Sequence, residues 1–307
     1  MDKTRKPWQP LWLRRFLRRT AAMLARGLVR IRGRAGLAAI QRDGDRLGRL
    51  HYHLSVFQRR RLASQVAQLF DLKPDDPEIP AMLKQSWCTN DRAVLEVLAK
   101  ACGALSADQL ADSVRVTGIE PLAENLESGR GAILLGMHSG NVLALLLKLA
   151  LRGLPISMVA NQPRRVPDGF FEDFFSGSDV EVIRARPESR AYYALNKAVQ
   201  RGRAAYIAID QIHKRGGIPV RFLGKQVPMP GGASVLARKH GVPIYPVLLE
   251  AAEPEWQFRI GEGIHLPDGQ DQHQDVADLA AIIDAHIRQR PQLWSWHHRR
   301  WMRFPFE

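Results

Sequence analysis

His138 is the residue most able to do chemistry in this chain, and it stands at a place where chemistry is easy to support. An apolar run, Ala132 to Leu135, ends in Gly136-Met137-His138, and Ser139-Gly140-Asn141 follow at once. The run is short, apolar and flanked by glycines, which predicts a buried strand. Val142 to Leu151 is apolar again and predicts a helix. His138 therefore sits in the turn that leaves a strand and enters a helix, the position where open α/β folds hold ligands. An imidazole there can accept and return a proton near neutral pH. Taken alone, such a histidine also fits a hydrogen-bonded structural role.

The elements that must position His138 follow from the patterning around it. From Gly129 onward, short apolar runs alternate with helical segments. Strands are predicted at Ile156–Ala160, Val180–Ile183, Ala204–Asp210, Ile244–Glu250 and Trp256–Ile260. Helices are predicted at Ser189–Gln200, Gly231–His240 and Asp275–Gln289. Gly217–Phe222 and Lys225–Pro228 form a candidate hairpin around Leu223-Gly224. This alternation implies an α/β domain with a central, largely parallel sheet flanked by helices. Upstream the texture is helical: His51–Phe70, then a proline-rich turn at Lys73–Pro80, then Asp91–Gly103 and Ser106–Val114, with Ser106 as N-cap. Three regions result: 1–40, 41–125 and 126–307.

Composition narrows the partners. The 307-residue chain is 45% hydrophobic, as a folded protein is, and carries 45 Lys and Arg against 31 Asp and Glu, a formal +14. So large an excess suits an anionic partner. Eight arginines and no acid lie between Leu11 and Ile40, interleaved with Trp12 and with Leu13, Phe16, Leu17, Leu24 and Leu28, the last five at helical spacing. A basic amphipathic helical N-terminus of this kind is built for an anionic membrane interface. A solvated basic face packed on the domain is the plainer alternative. Nucleic acid is not the expected partner, since no helix-turn-helix, zinc-finger or RNA-recognition pattern accompanies the charge. No segment reaches the roughly 18 apolar residues of a membrane span, and no secretory signal pattern is present. Cys88 and Cys102 are far apart and have no metal-ligand spacing, and His297 and His298 lack partners, so no metal is expected.

Several blocks in order resemble the bacterial lipid A biosynthesis acyltransferases of the lauroyl/myristoyl type, within the lysophospholipid acyltransferase superfamily. They run from about Gly118 to Pro305: Gly118-Ile-Glu120 with Ser128-Gly-Arg-Gly-Ala-Ile-Leu-Leu135, His138-Ser-Gly-Asn141, Ile209-Asp-Gln211 with Phe222-Leu-Gly224, Gly231-Gly-Ala233 with Gly241–Pro246, and Pro291–His297 with Arg299–Trp301. The resemblance implies a peripheral enzyme on the cytoplasmic face of a bacterial inner membrane. It would move a fatty acyl group from an acyl-carrier-protein or coenzyme A thioester to a hydroxyl of a lipid acceptor, without a cofactor. His138 would be the general base.

The family's pattern places an acid five residues after that histidine, and here Leu143 stands there. Asn141, Asp210, Glu172 and Asp173 are the alternatives for supporting His138, with Asp210 open also to a structural or acceptor-binding role. An arginine common in the family near Asn161 is absent, with Arg164 and Arg165 close by as replacements. Arg190, in a basic cluster with Arg184 and Arg186, fits either a solvated surface or a phosphate-bearing carrier or acceptor. Gln211 lies in the block that resembles the family's third, and the resemblance implies a substrate-binding role for it. Gly231 and Gly232 are either turn glycines or an approach to helix N–H groups for phosphate or thioester. Trp294, Trp296 and Trp301 read as core or interfacial anchors outside the site. Two further functions stand beside lipid A acylation: transfer of an unusual acyl or aminoacyl group to another lipid or metabolite, and binding of lipid or carrier without catalysis.

Overall fold

The computed structural model describes residue 27 and residues 31–161, 166, 168–213, 216–296 and 304–306. Most of the predicted N-terminal basic helix, and Trp301, lie outside the described residues. The chain begins with α1 (Leu37–Leu54), α2 (Val56–Phe70), α3 (Glu78–Ala101) and α4 (Ala107–Asp112), then β1 (Val114–Thr117) and α5 (Glu120–Glu127). The segment of the site follows: β2 (Ala132–Gly136), α6 (Val142–Leu151) and β3 (Ile156–Ala160). Then come α7 (Phe170–Phe174), β4 (Val180–Arg184), α8 (Glu188–Gln200), β5 (Ala204–Ala208), and the hairpin β6 (Ile218–Phe222) and β7 (Lys225–Met229). The last elements are α9 (Gly232–His240), β8 (Ile244–Ala251), β9 (Trp256–Ile260), α10 (Gln272–Gln289) and a 3-10 turn at Pro291–Leu293.

Seven strands form one sheet in the order β1-β9-β8-β2-β5-β3-β4. All neighbours run parallel except β8 and β9, which are antiparallel. The sheet is therefore mixed, with a parallel centre, flanked by helices. β2 lies inside it, and all five of its residues are buried. Alternation splits them between two cores: Ile133 and Leu135 pack in one apolar cluster, Ala132 and Leu134 in the other. That two-sided cover explains why the strand reads as a continuous apolar run.

The register between β2 and β5 decides where the site forms. Ala132 pairs with Ala204 and Gly136 with Ala208, so the two strands end flush. Two residues beyond each end stand His138 and Asp210, residues far apart in sequence that the sheet sets side by side.

The helical upstream region differs from its sequence reading at several points. The stretch 51–70 holds a break at Ser55 between α1 and α2. The helix expected from Asp91 begins earlier, at Glu78, with Pro80 in its first turn, where a proline sacrifices no helical hydrogen bond. The helix expected to reach Val114 stops at Asp112, because Val114 and Val116 pair with Trp256 and Phe258 as an added strand. Helix α1 packs tightly on α3 because Gly44 and Gly48 offer no side chain where the backbones of Arg92 and Cys88 approach. Among the described residues, no helix is long and apolar enough to cross a membrane.

Candidate active site

The turn after β2 is held from several sides. The Tyr206 hydroxyl, on β5, donates to the Met137 carbonyl at 3.1 Å. Gly140 takes a left-handed conformation, φ 55°, where a side chain would also run into Leu249 and Trp256. Asn141 then caps α6: its Oδ1 accepts from the Ala144 N–H at 3.1 Å. The C-terminal segment closes the other side. Ser139 bridges to Trp294, and the Ser295 N–H donates to the His138 carbonyl at 3.1 Å. Ser86 on α3 in turn donates to the Trp294 carbonyl.

In this frame the imidazole meets Asp210. His138 Nδ1 lies 2.7 Å from Asp210 Oδ1, and the His138 backbone N–H donates to Oδ2 at 2.9 Å. Trp294 Nε1 donates to the same Oδ2 at 2.9 Å. The Asp210 side chain is 2% exposed, whereas that of His138 is 35% exposed. Burial is the largest influence on Asp210 and pushes its acidity down. The charge of His138, the two hydrogen bonds from His138 and the one from Trp294 together outweigh it, and its pKa lies below the ordinary carboxylate value. An ionised carboxylate only accepts, so Nδ1 carries the proton and Nε2 presents its lone pair. Gln211 Nε2 lies 2.8 Å from that nitrogen, placing its amide as the donor to it. The arrangement suits an imidazole that takes a proton at Nε2 while a buried carboxylate holds its tautomer.

The other residues singled out from sequence lie elsewhere. Asn141 does not orient His138: both ends of its amide are engaged, Oδ1 in the helix cap and Nδ2 on Glu96 Oε2 at 2.7 Å. Leu143 packs among the apolar residues under the sheet. Glu172 pairs loosely with Arg184 at 3.4 Å, and Asp173 is exposed on the same short helix. Arg190 is exposed on the first turn of α8. Arg164 and Arg165 lie outside the described residues. Gly231 and Gly232 start α9, with Gly231 lying against Gln272 and Ile218. Among the described residues, no group of three or more His, Cys, Asp or Glu could hold a metal ion.

Two features escaped sequence reasoning. Trp294 is buried, as expected of an anchor, yet it also serves the site through its indole N–H. The second is Glu96 on α3, fully buried, which accepts from Gln41, Asn141 and Trp256. Burial raises its pKa, with those three hydrogen bonds opposing. Glu96 thus ties α1, α3 and β9 to the end of the His138 turn. A lone glutamate in a helical stretch carries no signal of this.

A phosphatidylinositol mannoside acyltransferase of Mycolicibacterium smegmatis is 25% identical over 203 residues, covering 65% of this chain and 66% of that protein. The match thus spans just under two thirds of that relative's length. The sequence pattern of the bacterial lipid A biosynthesis acyltransferases matches residues 10–303, nearly the whole chain, and takes in the His138 turn, Asp210 and Trp294. The chain belongs to the bacterial lipid A biosynthesis acyltransferase family.

Proposed function

We propose that this protein transfers a fatty acyl group from an acyl-carrier-protein or coenzyme A thioester to a hydroxyl of a lipid acceptor of the lipid A precursor type. The observation that carries this reading is the His138–Asp210 contact at the flush ends of two parallel strands. The acceptor hydroxyl gives its proton to Nε2 as its oxygen attacks the thioester carbonyl carbon. The carbon–sulfur bond then breaks, and the imidazolium returns the proton to the departing sulfur. Asp210 offsets the charge that the imidazole gains. A buried carboxylate with three donors aimed at it supports catalysis over the binding-only alternative.

Peripheral attachment to an anionic membrane, at the cytoplasmic face of the inner membrane, fits the surface as well as the family. Leu47, Leu50, Leu54 and Phe57 are exposed at helical spacing along α1 and into α2, with Phe57 89% and Leu54 73% exposed. Exposed Arg42, Arg46, Arg49 and Arg60 flank them, and α2 contains no acidic residue. In this reading residues 1–40 attach to the membrane, 41–125 support the turn that carries His138, and 126–307 hold the transfer chemistry. The mycobacterial relative favours a second acceptor class, a sugar-bearing phospholipid.

The test is an acyl-transfer assay on the purified protein with an acyl thioester and each lipid in turn. We expect His138→Ala to lose about 100-fold to 10,000-fold in rate. A variant as fast as the parent overturns the assignment, and product formed with only one lipid identifies the acceptor class.

A further inference from the structure

Gln211 stands where the acceptor oxygen has to be. Its side-chain nitrogen is 2.8 Å from Nε2 of His138, the atom that takes the proton. It follows Asp210 directly, so the strand exit that supplies the carboxylate also supplies this amide. The imidazole is one-third exposed, so water can approach it from the outer side. A base beside a bound thioester activates any hydroxyl that reaches it, and water is the most abundant one.

We propose that Gln211 is a specificity-determining residue that caps Nε2 of His138 until the lipid hydroxyl arrives, directing the acyl group to lipid rather than to water. This rests on the acyl-transfer reading. An amide N–H satisfies the lone pair but is far too weak an acid to react, so the cap is inert. The acceptor hydroxyl offers Nε2 an equivalent donor, and binding of the rest of the lipid holds the amide aside. Water offers the same donor without that binding energy. Without the cap, a water molecule gives its proton to Nε2 while its oxygen bonds to the thioester carbonyl carbon. The carbon–sulfur bond breaks and the proton passes to sulfur, leaving a fatty acid and a free thiol.

The experiment measures thiol release from lauroyl-coenzyme A by the full-length protein without acceptor, and lipid product when either acceptor is present. Removing one hydrogen bond to the base should raise acceptor-free thiol release about tenfold in Gln211→Ala. The rise should vanish in His138→Ala/Gln211→Ala. With acceptor present, more of the consumed thioester should appear as fatty acid. Gln211→Met, which keeps the length but removes the donor, should behave alike and stands in if the alanine variant does not fold. Gln211→Glu should instead lose transfer, because a carboxylate there holds Nε2 protonated. If the wild type makes lipid product while neither Gln211→Ala nor Gln211→Met hydrolyses faster, the inference is overturned and the acyl-transfer reading stands. If the wild type transfers to no lipid, both fall.

Discussion

On the proposed acyl-transfer mechanism, Asp210 is where the chemistry is most exposed to a single substitution. Asp210→Asn keeps the size of the side chain but turns an acceptor-only group into one that can donate toward Nδ1, favouring the wrong tautomer. We expect kcat to fall by about 10³ to 10⁴, as tautomer-reversing changes do in acid–histidine pairs, with KM for the thioester nearly unchanged. A variant within threefold of wild type would remove Asp210 from the mechanism. The same substitution should alter stability with a definite sign. Asp210 titrates below its ordinary 3.8 in the folded chain, so its contribution is complete above that value and is lost as pH falls further. Asp210→Asn should therefore flatten acid denaturation below about pH 4, read by circular dichroism across pH. Leu143→Glu supplies the acid the family pattern expects, but Asp210 already serves the ring and Leu143 packs against apolar neighbours. It should gain no activity and should lower Tm, with a cost of about 1–3 kcal/mol. Faster acyl transfer in that variant would show that the position five residues on still matters.

Among elements, the decisive relation is the shared end point of β2 and β5, with the Trp294 segment laid across both. Trp294→Phe keeps an aromatic ring in the core and deletes one donor to Asp210. The carboxylate then becomes easier to protonate, so the acid limb of kcat/KM against pH should move upward and activity should drop about tenfold. An unmoved limb would reduce Trp294 to a packing role. β2, β3 and β9 were legible from sequence because short apolar runs between glycine and polar breaks have few other readings. The hairpin β6–β7 was legible through its Leu223-Gly224 turn. The partnership of His138 with Asp210 was not, since it depends on strand order and register across 72 residues, which no local pattern encodes. Asn141 misled because closeness in sequence suggested closeness to the ring, whereas the helix start claims its side chain. β1 was hidden inside a helical-looking stretch because its pairing partner, β9, lies far downstream.

At the scale of the whole molecule, the surface of α1 and α2 and the His138 turn are mechanically joined. Gln41 on the inner side of α1 shares Glu96 with Asn141, and Gly44 and Gly48 seat α1 against α3. A membrane held by the outer side of α1 would therefore meet the site at a fixed orientation. The acids of α1 are already engaged, Asp43 with Arg32 and Asp45 with Arg92, so the charge left facing outward is basic. Replacing Leu50, Leu54 and Phe57 together by serine alters exposed positions, and the fold should change by less than about 1 kcal/mol. Each lost apolar side chain should remove about 1 kcal/mol of insertion, so partitioning onto phosphatidylglycerol-containing vesicles should weaken by about 100-fold. Removing residues 1–40 should weaken it further. For the wild type, raising salt from 0.1 to 1 M should reduce binding by shortening the reach of arginine charge to about 3 Å. Acyl transfer to a detergent-dispersed acceptor should persist in the triple variant, because the outer face of α1 contributes no group to the His138–Asp210 pair. Vesicle binding that survives both the serine substitutions and high salt would place the membrane contact on another face of the protein.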